Sequence, residues 1–207
     1  MLHQFLNDVS KAALLEAIRS VEQQSSAEVV IAVRARSGRY LFAGWILGCV
    51  SAFVTLGFLL FSSFAFALPW ILIDPVVVGA IVGFASLQLP TLERRFTSRK
   101  LLHKQVLLAA KASFYDKGVQ LTSERVGILI YISLLEGQAE VIADKGIKTH
   151  VPKHVWNAAV NKIQGAVTRG DDGKLVANLI VELGVSLAAY LPRFELDVNE
   201  LADEVCG

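Results

Sequence analysis

YLFAGWILGCVSAFVTLGFLLFSSFAFALPWILIDPVVVGAIVGFASLQLPTL, residues 40–92, holds a single charged side chain, Asp74. A bilayer-spanning helix needs about 20 apolar residues, so this stretch fits two spans and a tight turn. Arg34, Arg36 and Arg39 precede it, and Arg94, Arg95, Arg99 and Lys100 follow it. Lys and Arg collect in cytoplasmic flanks, and here both flanks are basic while the middle is not. The sequence therefore predicts a hairpin that crosses the membrane and returns, with both termini cytoplasmic. Arg36, Arg39, Arg94 and Arg95 are the expected contacts with lipid head groups. Helices apolar on every face over this length belong in lipid rather than in a soluble core.

Within the hairpin, Leu41 to Leu68 is expected as the first helix, with Pro69, Trp70, Asp74 and Pro75 forming the outer turn. Asp74 costs little at the boundary and one acid makes no ion path. Gly44 and Gly48, like Gly79 and Gly83, form small-residue pairs four apart. With the turn at 69–75 the two pairs sit at different depths, so each could meet only its own copy in a parallel homodimer, and chance glycine in a membrane helix is the leading reading.

Outside this stretch the 207-residue chain keeps about 150 residues, enough for a core of their own. With a formal net charge of +1 nothing suggests a nucleic-acid surface, and the basic residues sit mainly beside the apolar segment. Cys49 and Cys206 are too far apart in kind of environment to pair, as suits a reducing compartment. Residues 1–24 are amphipathic, with Glu16 and Glu22, and lack a continuous apolar run, so targeting is expected from the hairpin itself.

Apolar positions Val9, Ala13, Leu14, Ala17, Ile18 and Val21 recur at helical spacing and predict a helix over 7–24 with Asn7 as its cap. EVVIAVRAR (28–36) and RVGILIYISL (125–134) are buried-type strands, and QAEVIA (138–143) returns from the second through Glu136-Gly137. A long helix is expected over 93–117, stopped by Gly118. Two more are expected over 153–167 and 174–190, separated by the loop 168–173 and closed by Pro192, and the acidic tail from Glu195 is expected to be solvated or loosely packed. Two apolar strands flanking a crossover pair in parallel, with the third antiparallel. The expected fold is α/β, a small mixed-sheet α/β/α sandwich interrupted by a two-helix transmembrane hairpin. Its parts are 1–39, the hairpin 40–92, 93–192 and a tail over 193–207.

Asp144-Lys145-Gly146 follows a strand, where binding loops are common in α/β folds. Asp171 and Asp172 lie in the loop before the last helix. If these carboxylates converged, they would suit Ca²⁺ or Mg²⁺ through oxygen ligands. Turn formation and helix capping account for the same residues and are the leading reading. His150 and His154 have zinc-ligand spacing, but Pro152 interrupts the helix that would align them. No nucleophile motif, phosphate-cradling glycine loop or CxxC is present.

Thr122 with Arg125-Val126-Gly127-Ile128-Leu129-Ile130-Tyr131, then Glu136, Val141-Ile142-Ala143-Asp144-Lys145-Gly146-Ile147 and Trp156 together resemble the TPM domain. Gly170, Gly184 and Leu191-Pro192 continue the match, and Ala17-Ile18, Glu22 and Ser26-Ala27-Glu28-Val29-Val30 resemble the family's opening helix and strand. The resemblance covers nearly all of the non-hairpin sequence and implies an α/β/α sandwich. Plant members of the family are associated with phosphatase activity and photosystem repair, and an animal member with receptor regulation. Glu124-Arg125 stands where many soluble members carry Asp-Asn, and Asp144-Lys145-Gly146 stands in place of a glycine-aromatic-glycine turn. The expected role is accordingly a non-enzymatic module at the cytoplasmic membrane face that binds, assembles or maintains a membrane protein. The alternative is a divalent-metal-dependent phosphatase using Asp144, Asp171 and Asp172.

Overall fold

The computed structural model describes residues 7–38, 40–89, 94–193, 201 and 205–206. It divides into two units, 1–37 with 103–207 and the intervening 38–102.

The first unit is built on a sheet of order β3-β2-β1-β4. Strand β1 (Glu28–Arg34) pairs in parallel with β2 (Gly127–Ser133), from Glu28 opposite Gly127 to Arg34 opposite Ser133. The burial of every β2 residue explains its continuous apolar run. Antiparallel β3 (Gln138–Ala143) follows through a turn that Gly137 makes with φ 61°, a left-handed conformation that favours glycine. The sequence alternation therefore placed all three strands and both pairing directions, though β1 stops two residues earlier than expected and β2 starts two later and stops one earlier.

Side-chain alternation splits the core in two. Val29, Ile31, Val33, Ile128, Ile130 and Ile132 point to one face, which is covered by three helices: α1 (Asp8–Gln24), α6 (Lys153–Arg169) and α7 (Gly173–Ala188). Val30, Ala32, Leu129 and Tyr131 point to the other, under α4 (Arg99–Asp116), whose Val106, Ala110 and Phe114 lie one turn apart. The result is the expected α/β/α sandwich. Asn7 caps α1 by accepting from the Ser10 N–H at 2.7 Å, as its position predicted.

Three expectations are corrected here. The helix expected over 93–117 is broken at Thr97–Ser98, and Ser98 Oγ accepts from the Leu101 N–H to start α4 afresh. Gly118, with φ 67°, ends the region as expected. The loop expected over 168–173 is shorter, 170–172: α6 runs on to Arg169 and α7 begins at Gly173. The tail is not wholly solvated, because Val205–Cys206 form β4 beside Ile31 and Ala32. Residues 194–200 and 202–204 of that tail, with Arg39 and 90–93, lie outside the described residues.

The second unit contains two helices long and apolar enough to cross a membrane, α2 (Leu41–Phe61) and α3 (Leu68–Ser86). At 21 and 19 residues they are roughly 30 Å long, the thickness of a bilayer's hydrocarbon core. Only 11% of each apolar window is buried, so their side chains face outward rather than into a core. The connection is 62–67, not the expected 69–75. Pro69 sits in the first turn of α3, where a missing N–H costs nothing, and Asp74 and Pro75 lie inside the helix. Asp74 is thus about 9 Å beyond the helix start.

Moving the turn also corrects the glycines. Gly44 faces Gly83 and Gly48 faces Gly79: a Cβ on Gly48 would lie 2.8 Å from the Gly79 carbonyl oxygen, and one on Gly44 3.1 Å from that of Gly83. Both facing pairs are centred between Ser63 and Phe64, inside the observed connection. The two glycine pairs therefore close the hairpin on itself.

Candidate functional site

Asp144, Lys145 and Gly146 are not a free loop. Asp144 is the N-cap of α5 (Lys145–His150), accepting from the Lys145 N–H at 2.7 Å. The Arg125 guanidinium grips the same carboxylate at both oxygens, Nε to Oδ2 at 2.7 Å and Nη2 to Oδ1 at 3.2 Å. Arg125 itself stands at φ 59°, uncommon for a side-chain-bearing residue. Its N–H donates to the Thr122 carbonyl and its own carbonyl accepts from Gly146. A Cβ at Gly146 would lie 2.5 Å from the Glu124 carbonyl oxygen, so this glycine serves close backbone approach. A cation at Asp144 would have to displace Arg125.

Asp171 accepts from Arg169 at 2.7 Å, and Asp172 occupies the N-cap of α7 while its Oδ1 faces Ser10 Oγ at 3.5 Å. Ser10 lies in the first turn of α1, whereas Asp144 hydrogen-bonds Gly127 at the sheet end where α1 has finished. The length of α1, about 25 Å, lies between them. The expected convergence of Asp144 with Asp171 and Asp172 does not occur. Among the described residues no group of three His, Cys, Asp or Glu is placed to hold a metal. His150 and His154 fall on different helices, and His150 Nδ1 lies 2.9 Å from the Gly146 carbonyl oxygen. Of the flanking arginines, Arg36 and Arg95 are exposed and Arg94 is half-buried, and Arg39 lies outside the described residues.

The opposite end of the sheet holds a buried polar chain that sequence reasoning missed. Ser133, the last residue of β2, is fully buried and Glu136 in the following turn is 2% exposed. Ser37 Oγ donates to Ser133 Oγ at 2.6 Å, and Ser133 Oγ donates to Glu136 Oε2. Since a serine has one hydroxyl proton, the Tyr131 hydroxyl, 3.0 Å from Ser37 Oγ, is the donor there. The Ser37 N–H donates to Glu136 Oε1 at 3.0 Å. Burial raises the Tyr131 pKa, the Ser37 hydrogen bond lowers it, the charge of Glu136 raises it and Arg34 lowers it; the net shift is upward. A phenol that stays protonated keeps the donor the chain needs. The arrangement fixes Ser37, three residues before the apolar segment, to the carboxyl ends of the parallel strands. Ser133→Ala is expected to cost about 1–2 kcal/mol by removing a donor from buried Glu136, and Tyr131→Phe less, measured by thermal melts of the full chain.

Glu140 on β3 faces α4, with His103 Nδ1 at 3.2 Å from its Oε1. Burial raises its pKa and His103 lowers it by less. The folded protein then binds this proton more tightly than the unfolded chain. Stability present at acid pH is lost as the pH climbs from the unfolded pKa through the folded one. Glu140→Gln is therefore expected to gain stability relative to the parent as the pH rises above the ordinary carboxylate pKa of about 4, with no gain at the acid end. Parallel melting-temperature profiles for the two proteins would contradict this.

No family model matches the chain, and no curated protein does. Among solved structures it is similar to the NMR structure of BA42 protein from the psychrophilic bacterium Bizionia argentinensis. The alignment covers 100% of this chain and 97% of that one, with a TM-score of 0.60 and 17% identity. Likeness at that identity concerns the fold alone.

Proposed function

We propose that this chain is a membrane-anchored, TPM-like module that works at the cytoplasmic face by binding, assembling or maintaining a membrane protein. What supports the reading most is the insertion of α2 and α3 between two strands that pair with each other. A sheet cannot be divided by a bilayer, because each backbone polar group left unpaired in lipid costs several kcal/mol. The chain must therefore leave and re-enter the sheet on one side, and the basic residues at both flanks select the cytoplasmic side. A non-enzymatic role is favoured because Asp144, Asp171 and Asp172 are engaged by Arg125, Arg169 and Ser10 at separate places.

Topology is tested by placing single cysteines at Gln23 and Asn161, both exposed, in the full chain with Cys49 and Cys206 replaced by serine, in cells. An impermeant maleimide is expected to label neither until the membrane is opened. Labelling of either position in intact cells would reject the topology. Purification in native detergent is expected to recover a membrane protein in stoichiometric amount; an isolated chain would count against the module reading.

A further inference from the structure

Helix α4 has a second apolar face. Val106, Ala110 and Phe114 are buried against the sheet, while Leu101, Leu108 and Tyr115 are 42%, 50% and 66% exposed. The exposed three recur every seven residues, two helical turns, and so form one stripe on the side away from the core. Lys104 and Lys111 repeat at the same interval beside it, and both are exposed, as is Lys100. Asp116, the last residue, is the helix's one acid. A solvated surface helix has no use for a leucine–leucine–tyrosine stripe, and a protein-binding stripe does not require a one-sided lysine border. An apolar stripe edged by lysines is the pattern of a helix lying in the head-group region of an anionic bilayer, with tyrosine suited to that depth.

We propose that the outer face of α4 docks on the cytoplasmic surface of the bilayer and recognises anionic phospholipid. Leu101, Leu108 and Tyr115 enter the head-group boundary, and Lys104 and Lys111 hold lipid phosphates. This rests on the reading of α2 and α3 as the membrane anchor, and it deepens that reading. It turns a tether into a surface contact, leaving the α1, α6 and α7 layer for a protein partner.

The test uses the full chain, with Cys49 and Cys206 replaced by serine, in phosphatidylcholine vesicles with and without phosphatidylglycerol. A fluorophore is attached at Leu108→Cys, Tyr115→Cys, Val185→Cys on α7, or Phe53→Cys on α2. Nitroxide lipids quench it at shallow or deep positions. Shallow quenching is expected at 108 and 115 in the anionic vesicles and not at 185, with deep quenching at 53. Lys104→Gln and Lys111→Gln should each lower the docked-to-free ratio at 108 about fivefold. Quenching at 53 without quenching at 108 would overturn the docking and leave the anchor intact, whereas no quenching at 53 would overturn both. Quenching at 108 that ignores the two lysines would overturn anionic recognition. A fluorophore at 108 shielded from aqueous iodide yet untouched by nitroxide lipid would show that protein, not lipid, covers the stripe.

Discussion

Gly127→Ala is expected to lower the melting temperature of the α/β unit by about 10 °C, the equivalent of about 3 kcal/mol or more. Gly127 is the first residue of β2, and a Cβ there would lie 2.2 Å from the Val119 carbonyl oxygen and 2.8 Å from Val119 Cγ1. Neither can retreat easily. Val119 is buried in the short 3-10 turn Val119–Leu121, and Gly127 is held on both sides, by pairing with Glu28 and by accepting from the Asp144 N–H at 2.9 Å. Relief would require parting β2 from β1 or lifting the turn off the sheet. Either exposes apolar residues from both core faces, a large share of a total stability of about 5–15 kcal/mol. Gly165→Ala supplies the control. It lies inside α6, where the Cβ would meet only the flexible end of Arg169 at 3.3 Å. It should gain about 0.5–1 kcal/mol because alanine loses less backbone freedom on folding. Thermal unfolding by circular dichroism separates the two, and a Gly127→Ala protein melting with the parent would disprove the close contact.

Much of this architecture could be read from local pattern. The apolar runs of β1 and β2, the alternation of β3 and the glycine stop at Gly118 each follow from a period or a single residue's backbone freedom. What could not be read depended on partners distant in sequence. Tyr131, Ser133 and Glu136 are near neighbours in sequence but form no recognisable motif, and it is the parallel register of β1 with β2 that brings the distant Ser37 to them. Asp144 looked like a loop acid because its ligand, Arg125, lies nineteen positions away, across the β2–β3 hairpin. Two-residue β4 is too short to have a period. The hairpin turn failed for another reason: proline and aspartate signal turns and helix starts alike, and Pro69 marks a start. That single ambiguity displaced the turn and, with it, the partners assigned to four glycines.

Those glycines give the second large effect. Gly48→Val is expected to weaken the α2–α3 association by about 2–3 kcal/mol, because the added carbons meet backbone rather than a side chain that can move. In lipid there is little hydrophobic drive to hold two helices together, so close backbone approach carries most of the attraction, and forcing the axes apart forfeits it along the whole crossing. Gly79→Val should cost a similar amount, since its Cβ would lie 2.9 Å from the Gly48 carbonyl oxygen. The double variant should cost much less than the sum, as both act on one contact. Gly57→Val separates this effect from helix propensity: it lies in the same helix with nothing within 4 Å of its Cβ. The measurement is the dodecyl sulfate fraction that opens the hairpin in mixed micelles, followed by Trp45 and Trp70 fluorescence in a Trp156→Phe background. Equal shifts for Gly48→Val and Gly57→Val would remove the facing-glycine contact. If only the Gly48 and Gly79 variants shift, the hairpin closes on its own glycines, and any second copy must meet it through another face.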